Sequence, residues 1–100
     1  MIDKKEKKVA IITGGSKGIG YACALKLAKE GFNIAICSRS RKDLKKASNF
    51  LKKKYKINCF YMAIDASKNN QVKKFVSNVL KEFKFINVLI NNCGIQLNKK

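Results

Sequence analysis

Hydrophobic and polar positions follow two alternating rhythms along this chain. Residues 9–13, VAIIT, are continuously apolar and mostly β-branched. Such a run predicts a strand buried on both faces, and hence a parallel sheet. From about Gly18 to Lys29 the spacing turns helical, with Ile19, Ala22, Cys23, Leu25, Leu27 and Ala28 on a wide apolar face. Gly31 then serves as a helix C-terminal glycine. Residues 33–38, NIAICS, predict a second strand. Ser40 stands three residues before Asp43, the spacing of a capping box with Asp in place of Glu. Leu44, Ala47, Leu51 and Tyr55 follow at helical spacing, so a second helix is predicted over about 41–54. Lys52, Lys53 and Lys54 lie in its last turn, where the helix dipole favours cations. Residues 57–65, INCFYMAID, predict a third strand, after which Ser67 is placed to cap a third helix. That helix has the clearest amphipathic pattern, through Val72, Phe75, Val76, Val79, Leu80 and Phe83. Residues 86–90, INVLI, predict a fourth strand leading into NNCG.

The resulting order is β-α-β-α-β-α-β with short connections. It predicts an α/β fold with about four parallel strands, right-handed crossovers and three helices shared between both faces of the sheet. No linker, internal repeat or low-complexity stretch interrupts it other than lysine clusters.

Composition narrows the class. At 100 residues and 46% hydrophobic, the chain is one domain at most with a modest core, and it is not of disordered composition. No apolar run approaches the roughly 18 residues of a membrane span. The start, MIDKKEKK, has no apolar stretch of signal-peptide type behind it, which predicts a cytoplasmic protein. Cys23, Cys37, Cys59 and Cys93 are scattered without a C-x-x-C pair, and there is no histidine. They read as reduced, buried small hydrophobes rather than a metal site. The formal charge of +17 raises a nucleic-acid or acidic-membrane reading. However, only Arg39 and Arg41 of the 23 basic residues are arginine, and lysines are spread over every polar helix face and both termini. Abundant lysine, asparagine and isoleucine without proline fits the coding bias of an AT-rich genome, so neither nucleic acid nor membrane is expected as a partner.

The bend after the first strand carries candidate chemistry. Thr13, Gly14, Gly18 and Gly20 form T-G-x-x-x-G-x-G between a predicted strand and a predicted helix. Glycines let the backbone approach an anion closely, and the helix amino terminus offers N–H groups and partial positive charge. The spacing differs from G-x-G-x-x-G, and the bend lacks the Gly-Lys-Ser/Thr ending of a triphosphate loop.

Three motifs stand in order, each just past a predicted strand: TGGSKGIG at 13–20, DA at 65–66 and NNCG at 91–94. Together they resemble the short-chain dehydrogenases/reductases over roughly residues 8–96, the amino-terminal part of that family's domain. The resemblance implies a truncated Rossmann-type doubly wound parallel sheet. It implies residues 1–7 as a basic extension and 8–100 as an incomplete NAD(P)-binding domain. It also implies that Gly14, Gly15, Ser16, Lys17, Gly18, Ile19 and Gly20 form the diphosphate loop. Asp65, with Ala66 beside it, would accept a hydrogen bond from the adenine amino group. Asn92 and Gly94 of NNCG would lie near the adenine ribose, with Cys93 in place of the family's usual alanine.

The end of the second strand selects the cofactor. An acid there suits the ribose 2′-hydroxyl of NAD, and a basic residue the 2′-phosphate of NADP. Arg39 occupies that place, Arg41 and Lys42 are nearby, Lys17 can add a further charge, and no carboxylate comes before Asp43. NADP(H) is therefore expected over NAD(H).

The family's proton donor is a tyrosine in Tyr-x-x-x-Lys, preceded by a serine. Tyr21, Tyr55 and Tyr61 are followed four residues on by Leu25, Cys59 and Asp65, so none fits. No catalytic or metal-binding residue is assigned. The resemblance implies carbonyl–alcohol interconversion of a small substrate in the complete enzyme. Its later strands, substrate loop and oligomer-forming helices have no counterpart in these residues. A chain of this length alone is expected to be a marginal domain that turns over nothing and binds NADP(H) weakly or not at all. The alternatives are a short NADP(H)-binding module or half of a split reductase needing a partner and, more remotely, a basic nucleic-acid-binding protein.

Overall fold

The computed structural model describes residues 7–92. It contains β1 (Val9–Thr13), α1 (Gly18–Lys29), β2 (Asn33–Ser38), α2 (Arg41–Tyr55), β3 (Cys59–Ala63), α3 (Asn69–Phe83) and β4 (Val88–Asn91). The strands form one sheet in the order β3-β2-β1-β4, and every pairing is parallel.

Alternation along the strands separates two cores. Ala10, Ile12, Ile34 and Ile36 face α1 and α2, and pack with Ala24, Ala28, Leu44, Ala47 and Leu51. Their neighbours Val9, Ile11, Ala35 and Cys37 point to the other face, against Phe75 and Val79 of α3. Because side chains alternate with period two, a continuously apolar run such as Val9–Ile12 is stable only between two covering layers. That requirement is met here by helices on both sides, as the sequence rhythm predicts. Phe75 also stacks on Phe60 of β3, with ring centroids 6.1 Å apart.

Several local expectations need correction. α1 buries Gly20, Ala24 and Ala28 at four-residue spacing, whereas Ile19 and Ala22 are exposed. Small residues let this helix approach the sheet closely, so the stripe facing the sheet is the small one. β3 is shorter than predicted and only half-buried, since it lies at a sheet edge. β4 begins two residues later than predicted, because Asn87 closes the preceding loop: its Oδ1 accepts the Val9 N–H at 2.8 Å. Ser67 does not cap α3; the capping position is Lys68, without a side-chain bond, and the Ser67 hydroxyl is spent on Asp65.

Other ends form as expected. Gly31 adopts φ +96 after α1. Ser40 caps α2, its Oγ accepting the Asp43 N–H at 3.2 Å. α2 and α3 both end on left-handed lysines, Lys56 and Lys84.

Candidate functional site

The parallel register brings the strand ends level. Thr13 lies opposite Cys37 on one side and Asn91 on the other, and Ser38 lies opposite Ala63. All segments leaving these strands therefore emerge along one edge: the glycine bend, the turn holding Arg39, the loop holding Asp65, and Asn92. After β1 the chain winds outward to β3 and then returns to the far side of β1 as β4. The crevice between the carboxyl ends of β1 and β4 is thus the topological switch point, where open α/β sheets bind ligands.

The glycine bend is built by backbone contacts. Gly14 has φ +69 and donates its N–H to the Cys37 carbonyl at 2.7 Å, which ties the bend to β2. A Cβ on Gly15 would fall on the Ile36 side chain, and one on Gly20 would fall on the Gly14 carbonyl and lie 3.1 Å from Asn92 Nδ2. Gly20 is therefore the point where α1, the bend and the segment after β4 meet. Gly18, at φ +58, faces open space. Among the described residues, the first backbone bond of α1 runs from Tyr21 N–H to the Lys17 carbonyl at 3.2 Å. Lys17 makes no side-chain cap, and no acidic residue stands in the first turn. Uncapped amides at the positive end of a helix dipole favour an anion. Ile19, 75% exposed, projects beside them.

The bend is clasped to the turn after β2. Ser16 Oγ lies 3.2 Å from Ser38 Oγ, which also accepts the Ser40 N–H at 3.3 Å. Lys17 Nζ lies 3.2 Å from Asp43 Oδ2. The capping box is thus only half formed: Asp43 supplies its N–H to Ser40, while its carboxylate turns to Lys17. The hydrogen bond from Lys17, helped by Ser40, holds the Asp43 carboxyl below the usual carboxylate range.

Arg39 follows β2 and is exposed, within electrostatic range of Asp65. Arg41, expected beside it, instead lies over the Tyr61 ring of β3 at 5.8 Å from the centroid. Asp65 Oδ1 accepts the Ser67 N–H at 3.0 Å and the Ser67 hydroxyl at 2.7 Å. These bonds, with the Arg39 charge, hold its carboxyl below the ordinary value. The Asp65 N–H donates to Gln71 Oε1 at 2.7 Å, so α3 anchors this loop. Ala66 sits in the same turn. Asn91 Oδ1 accepts the Thr13 hydroxyl at 3.1 Å, joining β4 to β1. Gly94 and Cys93 lie outside the described residues.

The structure therefore brings Gly14–Gly20, Arg39, Asp65, Ala66 and Asn92 to one sheet edge. Ser38 and the Asp43 carboxylate also belong there, although sequence reasoning did not place them. Ser38 carried no motif, and Asp43 was absorbed into the capping box.

Known proteins share this fold. The short chain dehydrogenase family profile matches residues 8–100. A 3-oxoacyl-acyl-carrier-protein reductase of Staphylococcus epidermidis is 36% identical over 88 residues, 88% of this chain and 36% of that protein. The crystal structure of L-sorbose reductase from Gluconobacter frateurii, complexed with NADPH and L-sorbose, superposes with TM-score 0.84 and 37% identity, covering 86% of this chain and 33% of that one. An NAD+-bound xylitol dehydrogenase superposes with TM-score 0.78 and 33% identity, over 82% of this chain and 31% of the other. The chain thus spans about a third of the length of these relatives. A Rossmann-type parallel sheet, a glycine bend at its switch point and a family match along nearly the whole sequence place this chain in the short-chain dehydrogenase family.

Proposed function

We propose that this chain is the amino-terminal, dinucleotide-binding part of an NADP(H)-dependent short-chain oxidoreductase, which in its complete form interconverts carbonyls and alcohols. The observation that carries the reading is Arg39 at the end of β2, on the same edge as an uncapped helix amino terminus. The residues present fit the cofactor: the bend leaves open space at Gly18 and presents uncapped amides.

In this reading, residues Gly14 to Gly20 hold the diphosphate, with the first-turn amides of α1 as donors and Ile19 as an apolar wall. Arg39 pairs with the 2′-phosphate. Asp65, kept ionised by Ser67, is an acceptor for the adenine amino group, with Ala66 alongside. Asn92 lies toward the adenine ribose. When bound, the nicotinamide supplies hydride chemistry. Binding and orienting the cofactor fall to residues 8–100, and residues 1–7 form a basic extension. Residues 1–100 contain no Tyr-x-x-x-Lys, so substrate binding and delivery of a proton to the developing alkoxide fall to sequence outside them. Relatives about three times as long support that division.

Ligand-observed NMR titration with NADPH and NADH tests the reading at the weak affinities expected. Hydrogen bonds to charged groups contribute about 1.5–3 kcal/mol, and about 1.4 kcal/mol is tenfold in affinity. NADPH should bind at least about tenfold more tightly than NADH, and Arg39→Ala should remove most of that preference. Equal affinity for the two cofactors overturns the proposal.

A further inference from the structure

We infer that Asp43 tunes cofactor selectivity, acting as a built-in competitor that holds Lys17 away from a 2′-phosphate. The inference rests on the NADP(H) reading above, and it concerns a carboxylate that the motif pattern leaves unassigned.

Four observations carry it. Lys17 is the glycine bend's own cation, and its Nζ lies 3.2 Å from Asp43 Oδ2. The two partners differ in freedom: the Lys17 side chain is 77% exposed and that of Asp43 31%. Asp43 is the third residue of α2, and its N–H is held by the Ser40 cap at 3.2 Å. Its main chain is therefore pinned, which keeps the carboxylate beside the bend when Lys17 swings out. Finally, the pair borders a 340 Å³ cavity between the bend and α2, lined also by Ser16, Lys46 and Phe50.

A dianionic 2′-phosphate arriving beside Arg39 draws on Lys17 as a second cation. To give it, Lys17 must leave Asp43, and Asp43 then remains nearby as a like charge. Lys46, which lines the same cavity and acts electrostatically on Asp43, moderates that repulsion. A 2′-hydroxyl asks for no such exchange. The carboxylate thus weakens the phosphorylated ligand selectively and narrows the gap between the two cofactors. Because the pair is exposed, the effect is modest, about two- to fivefold in affinity.

The test compares adenosine 2′,5′-bisphosphate with 5′-AMP on the wild-type chain, Asp43→Asn, Lys17→Met and the double variant, each checked for a native circular-dichroism spectrum. Asp43→Asn should tighten the bisphosphate about two- to fivefold more than it tightens 5′-AMP. That gain should vanish in the Lys17→Met background, and it should shrink at high salt. An unchanged or weakened bisphosphate affinity in Asp43→Asn, with the wild-type preference for the bisphosphate intact, overturns the competition and leaves the NADP(H) reading standing. A gain that persists without Lys17, or that 5′-AMP shares in full, also overturns it, since the effect is then one of general charge. A wild-type chain that does not prefer the bisphosphate overturns both.

Discussion

Replacing Gly20 with alanine tests whether close backbone approach builds this site. The added Cβ would meet the Gly14 carbonyl and approach Asn92 Nδ2. Neither obstruction recedes easily. Gly14 is tied to Cys37 by its N–H at 2.7 Å, and the obstructing atom belongs to the backbone. The helix must therefore shift, lifting Ala24 and Ala28 from the sheet. Overpacking of this kind costs about 1–3 kcal/mol. For a domain of this size that lowers Tm by about 5–20 °C. The same shift moves the first-turn amides away from the bend, so NADPH affinity of the folded fraction should also fall. Gly31→Ala is the control. Gly31 has φ +96 with nothing near its Cβ position, far from the site. It should lose about 1 kcal/mol through backbone strain while the folded protein binds NADPH as before. Thermal unfolding followed by circular dichroism, with NADPH titration below the transition, reads both quantities. A Gly20→Ala chain within about 0.5 kcal/mol of wild type, or with undiminished NADPH affinity, would falsify the reasoning.

Two further outcomes are expected. Lys56 ends α2 at φ +57, a conformation that favours glycine, so Lys56→Gly should raise stability by about 0.5–1 kcal/mol in urea unfolding; a loss would show that its side chain outweighs the strain. Burial pushes the Cys59 thiol up from 9.0 to about 11. Its folded value lies above the unfolded one, so this contribution to stability is intact below about pH 9 and is lost as pH rises toward about 11. Iodoacetamide at pH 8 should accordingly label half-buried Cys59 much more slowly in the native chain than in denaturant; labelling at the rate of an exposed cysteine overturns the assignment.

Much of the fold was legible in local pattern. Val9–Ile12 and Ile34–Cys37 are apolar on both faces, which a parallel, doubly covered sheet accommodates. The periodicity of α3 marked Phe75 and Val79, which are buried. The pattern was less reliable for α1, where counting every apolar residue hid the Gly20–Ala24–Ala28 stripe. Hydrophobicity says which residues avoid water, and the distance between a helix and its sheet says which of them can face inward. Ser67 has the right residue type for a cap, but the Asp65 carboxylate two residues earlier takes its hydroxyl at 2.7 Å.

The sequence by itself determined the element order, the sheet's parallel character, the family motifs and the cation after β2, because each is written in neighbouring residues. Tertiary structure alone decided how those cations and carboxylates pair. Lys17 and Asp43, twenty-six positions apart, meet because register places the glycine bend beside the turn after β2. Arg41, two residues from Arg39, is drawn instead over Tyr61 on the edge strand. Side chains several ångströms long reach across strands and loops, so their partners follow from distances between elements, which no local pattern encodes.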